Sequence, residues 1–155
     1  MNEIKVKRLL LAGLAMFLTW MIFEVLVEQV VGRIIFGNLI NELWLDAMVV
    51  NDWGILNHGL NILIALLNST LFVWLYASLR PMYGVGTKTA LIISAWGVIW
   101  TFSLTVNLVN LGLIPPLAGM MEAVYESIEL PIAMMAGASV YEGSEHDDLE
   151  SRSSR

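Results

Sequence analysis

The chain has 155 residues, of which 57% are hydrophobic and 14% charged, and its mean hydropathy is +0.72. These proportions exclude a soluble single-core domain and point to lipid as the solvent. A net charge of −6 carries no basic stripe for nucleic acid, and the absence of cysteine excludes disulfides, thiolate metal sites and thiol redox chemistry.

In chain order, apolar stretches of spanning length occupy residues 9–31, 57–79, 90–111 and 116–141. At about 1.5 Å of rise per residue, each reaches across about 30 Å of hydrocarbon. The expected fold is an all-α membrane protein, an antiparallel four-helix transmembrane bundle formed by residues 1–141. Lys5, Lys7 and Arg8 precede the first run as they would in a signal peptide. That run is too long for a signal core, however, and Glu24 stands where a small-residue cleavage site belongs.

Orientation follows from the cationic residues. Lys5, Lys7, Arg8, Arg80, Lys88, Arg152 and Arg155 fall on one side of the predicted bundle, which places both termini in the cytoplasm. Arg33, at the far end of the first span, is the exception. The outward connection, 32–56, reads as a short amphipathic helix on the membrane surface. Phe36, Ile40, Leu43 and Ala47 share one side, Asn38, Glu42 and Asp46 another, and Trp44 and Trp53 suit the interface. It is a cover for the bundle or, in the sharper reading, a gate or docking element.

After the second span come Arg80-Pro81 and Gly84-Val-Gly86-Thr-Lys88. Pro81 is expected to stop that helix, the two glycines to form a tight turn, and Thr87 to cap the third helix. The run looks superficially like a phosphate-cradling loop, but the spacing is wrong and no strand precedes it. The third and fourth spans are joined only by 112–116, so they are neighbours. Ala90 with Ser94, Gly97 with Thr101, and Ala133 with Gly137 are small residues at four-residue spacing, which permits close helix contact. Pro131 predicts a kink in the last span, and the polar residues 142–155 read as a disordered cytoplasmic tail.

The turn at 79–90, with the aromatic-rich 71–76 before it and Glu129-Leu-Pro131 and Ala136-Gly-Ala138 later, resembles a group of small uncharacterised bacterial four-helix integral membrane proteins. The similarity covers most of residues 8–141. It implies a multi-pass protein of the bacterial inner membrane and brings no activity, substrate or active site.

Charged residues within a span are costly and usually functional or turned to the protein interior. Glu24 and Glu28 lie one turn apart on the first span, and Glu122, Glu126 and Glu129 fall within about 60° on the last. By depth both stripes share the outer half, with Glu129 near the midplane. There the second span offers Asn57, His58 and Asn61 and the third Asn107 and Asn110, with Asn68 further in. Five carboxylates face one fixed cation, Arg33, and one imidazole, His58. Either several hold a proton, or a water-filled vestibule solvates them, or an external cation balances them.

Protonated glutamates hydrogen-bonding across helices, as adhesive for the bundle or for another subunit, form one reading. A proton or cation site at Glu24, Glu28, His58, Asn61, Glu122, Glu126 and Glu129 is the other, and its oxygen ligands suit a hard cation such as Mg²⁺, Ca²⁺ or Mn²⁺. A di-iron centre lacks its Glu-x-x-His pairs, and two-histidine haem ligation is disfavoured because the second histidine, His146, is in the tail. Six tryptophans and five phenylalanines raise a pigment or quinone pocket, but Trp74, Trp96 and Trp100 read first as packing and anchoring. No cofactor is predicted. With no nucleophile and base paired, two functions remain: a nonenzymatic scaffold or accessory subunit, and a small proton- or cation-handling protein that would need to oligomerise to conduct. The expected partners are the lipid bilayer and a second copy or another membrane subunit.

Overall fold

The structure is a computed structural model that describes residues 6–26 and 54–153, with side chains described at 6–26 and 59–143. Over these residues the chain is all-helical: α1 (Val6–Leu26), α2 (Gly54–Tyr83), α3 (Thr87–Asn110) and α4 (Pro116–Ser153). The predicted surface helix within 32–56 lies almost wholly outside the described residues. Three helices, namely α1, the Gly59–Tyr83 part of α2, and α3, are long and apolar enough to cross a membrane. Helix α4 is longer but not among them, because Glu122, Glu126 and Glu129 interrupt its apolar surface.

Helix ends are set by glycines with positive φ. Gly84 (φ 97°) donates its N–H to the Arg80 carbonyl at 2.9 Å and ends α2. Pro81 therefore does not stop the helix as expected. It sits in the last turn, and α2 runs on to Tyr83. At the far end of α3, Gly112 (φ 71°) completes a Schellman motif: Leu113 N–H donates to Leu108 O at 2.9 Å and Gly112 N–H to Val109 O at 3.0 Å. Pro116 then opens α4, where its missing N–H leaves no bond unmade.

Helices α2 and α4 each pack against both α1 and α3, and against each other. The core, including Ala12, Met16, Val73, Tyr76, Ile93, Leu130, Met134 and Tyr141, lies toward the end of the bundle that carries the α2–α3 turn. Small residues let the helices close. A Cβ on Gly13 would lie 2.6 Å from Thr70 Oγ1, and one on Gly137 would lie 2.9 Å from Val73 Cγ2 and 3.0 Å from Met16 Cβ. Outside this core, large side chains such as Leu10, Leu14, Leu18, Leu67 and Leu71 are exposed, as lipid-facing residues would be.

At the α2–α3 turn, Gly86 occupies the N-cap of α3, and Thr87 is exposed and caps nothing. The Gly86 N–H instead donates to Tyr76 Oη at 2.8 Å and to Glu142 Oε1 at 2.9 Å. A carboxylate at a helix N-terminus meets the positive end of its dipole. Thr89 Oγ1 donates to the Gly84 carbonyl, Tyr76 and Tyr141 meet edge to face with centroids 6.4 Å apart, and the Arg80 guanidinium lies 5.1 Å over Tyr141. The turn is thus tied to α4. Glu142→Ala is expected to lower stability by about 1 kcal/mol while Thr87→Ala changes nothing measurable. Thermal unfolding of the two variants in detergent checks this; equal shifts would contradict it.

The backbone past Tyr141 also departs from the expected disordered tail, since α4 continues to Ser153. After Gly143 no glycine or proline interrupts the run, and its Glu, Leu and Arg residues are good helix formers. Helix α4 is likewise continuous through Pro131.

Candidate functional site

The end of the bundle away from the α2–α3 turn is acidic. Glu24 of α1 meets Glu122, Glu126 and Glu129 of α4, with Tyr125 between them, around a cavity of about 10 Å³. Spacing explains the face: positions 122, 125, 126 and 129 return to one side of a helix at intervals of three and four. That face is continued by the buried Ala133 and Gly137, so the packing that closes α4 on α1 also carries the glutamates inward. Glu126 and Glu129 are 8% and 3% exposed, and Glu126 Oε2 is buried with no hydrogen-bond partner among the described residues.

Four of the predicted site residues therefore meet: Glu24, Glu122, Glu126 and Glu129. Asn61 does not join them. It is exposed, as are Asn68, Asn107 and Asn110, so among the described residues the second and third helices present none of their expected asparagines to the cavity. The reason is helical phase. The buried face of α2 runs through Ser69, Val73 and Tyr76, and that of α3 through Ala90, Ser94 and Gly97, which turns these asparagines outward. Glu28, Asn57, His58 and Arg33 lie outside the described residues or side chains.

Several hydroxyls bond within their own helices. Thr19, Thr70, Ser103, Ser127 and Ser139 donate to carbonyls four residues back in their own helices, at 2.7–2.9 Å, so those hydroxyl protons are not used across helices. Among the described residues, no three histidine, aspartate or glutamate side chains converge closely enough to hold a metal ion. The cavity volume is about the space one water molecule needs.

Two further features escaped sequence reasoning. Between α3 and α4 lies an apolar groove of about 220 Å³, lined by Phe102, Val106, Val109, Gly119 and Met120 among others. It depends on how two helices splay, for which sequence spacing gives no signal. Trp96 and Trp100, read as packing and anchoring residues, are 70% and 75% exposed and form one stripe with Ile99. Comparison with protein-family models, curated proteins and solved structures yields no match to this chain.

Proposed function

We propose that the chain is a nonenzymatic integral membrane protein, a scaffold or accessory subunit, in which all four helices cross a bacterial inner membrane antiparallel to one another with both termini cytoplasmic. Residue pairings support the antiparallel order. On α1, residues 12 and 16 meet Gly137 whereas Glu24 meets 122–129. Between α3 and α4, Thr105 and Val109 lie at Gly119, Gly97 lies at Leu130, and Gly86 bonds Glu142.

The observation that carries the subunit reading is the position of Trp96 and Trp100. Both stand within about 4 Å of the midpoint of α3, at about 1.5 Å of rise per residue. Tryptophan prefers the membrane interface, where its N–H is solvated; two indoles turned outward at mid-helix find neither water nor a place in their own bundle. A neighbouring protein surface satisfies them better than acyl chains do. A photo-crosslinking residue placed at Trp100 in native membranes is expected to give a discrete protein adduct, whereas one at Leu10, an exposed position of α1, gives lipid adducts. Lipid adducts alone at both positions would sink the reading.

A second reading, proton or cation handling, is supported by the convergence of Glu24, Glu122, Glu126 and Glu129 on one cavity.

A further inference from the structure

We propose that this cavity is a proton-binding site: one water molecule sits among Glu24, Glu122, Glu126 and Glu129, donates to Glu126 Oε2, and shares an exchangeable proton with the carboxylates. The inference rests on the second reading above and names its ligand.

Three observations carry it. Glu126 is more than nine-tenths buried, lines the cavity, and has one carboxyl oxygen with no hydrogen-bond partner among the described residues. A buried oxygen left so is costly. Its donor is then a ligand's O–H, a proton on the carboxyl itself, or the Tyr125 hydroxyl, which lines the same cavity. The second observation is size: about 10 Å³ matches one water, while Mg²⁺ would have to shed the waters it holds. The third is the lining. From α1 it presents Glu24, from α4 Glu122, Tyr125, Glu126 and Glu129, and among the described residues α2 and α3 present no titratable group to it.

Carboxylates crowded in a low-dielectric site do not all ionise together; they titrate as a group and hold a proton in common. With a water between them, a carboxyl proton can pass to the water as the water gives one of its own to a second carboxylate. Proton count and charge are unchanged, and net uptake takes one proton from solution. Trp20, one turn before Glu24 on α1, has its indole N–H buried with no acceptor among the described residues.

The test is carried out on the purified full-length protein. Dicyclohexylcarbodiimide adds to protonated carboxyl groups in apolar surroundings, and peptide mass mapping locates the adduct. The expected result is an adduct at Glu126 at neutral pH, forming about tenfold more slowly per pH unit once the shared proton is lost, and absent in Glu126→Gln. Infrared spectroscopy of the wild type is expected to show the carbonyl stretch of a protonated carboxyl, shifted in D₂O. This holds the proposal to account even where Glu126→Gln fails to fold. No adduct between Glu122 and Glu129, together with no protonated-carboxyl band, would overturn it. Proteoliposomes loaded with a pH-sensitive dye separate site from handling. An adduct without proton flux upholds the site and rejects the handling reading; flux without adduct or band rejects the site.

Discussion

Gly137→Leu is expected to cost about 3 kcal/mol or more of stability, the largest effect of any single substitution considered. A first carbon at 137 would already stand 2.9 Å from Val73 Cγ2, 3.0 Å from Met16 Cβ and 3.2 Å from the Ala12 carbonyl oxygen. Val73 has little freedom at χ1 and a backbone carbonyl none, so α1, α2 and α4 must separate rather than repack. Separation is serious in a bilayer, where helices gain nothing from leaving water and associate through close contact. The control is Gly59→Ala, where nothing lies within 4 Å of the added carbon. That change is expected to be neutral or to stabilise by up to about 1 kcal/mol, through helix propensity alone. Unfolding of both variants in detergent checks the pair; similar losses at the two positions would show that the helix contact is wrongly placed.

Tyr76→Ala is expected to cost about 3 kcal/mol and Tyr76→Phe about 1 kcal/mol. The ring is fully buried, meets Tyr141 edge to face, and its hydroxyl accepts from the Gly86 N–H. Alanine opens a cavity that the surrounding helices fill only in part, whereas phenylalanine removes the hydroxyl and leaves the Gly86 N–H to Glu142 alone. The same unfolding assay distinguishes them. A phenylalanine variant as unstable as the alanine one would place the value of Tyr76 in its hydroxyl and contradict the packing argument.

The helices themselves were legible because apolar length and punctuation are local. Residues 90–111 and 116–141 were bounded by Gly112 and Pro116, and the structure ends α3 and starts α4 at those residues. Of the small residues read as helix contacts, Ala90, Ser94, Gly97, Ala133 and Gly137 are buried and Thr101 is half-buried. What sequence spacing could not deliver was phase and long-range partnership. Asn61 and Asn107 have the right depth for the acidic layer and the wrong side of their helices. The cap of α3 comes from Glu142, 56 positions along the chain, in a stretch whose polarity reads as unstructured tail, while the local candidate Thr87 faces outward. Trp96 and Trp100 share a helix face in either reading, and only the packed neighbours decide whether that face is inside or out.

Helix α4 decides the proposed arrangement, since its glutamates set it apart from the three helices long and apolar enough to span, and the acidic layer would lie within the membrane only if α4 crosses. The chain has no cysteine of its own, so single cysteines report position without background. Val85→Cys, Leu113→Cys and Ser151→Cys would each be probed with a membrane-impermeant maleimide in intact spheroplasts and in inverted vesicles. With all four helices crossing, Leu113→Cys reacts only from outside and Val85→Cys and Ser151→Cys only from the cytoplasmic side. Leu113→Cys and Ser151→Cys reacting from the same side would show that α4 does not span, and would contradict the account.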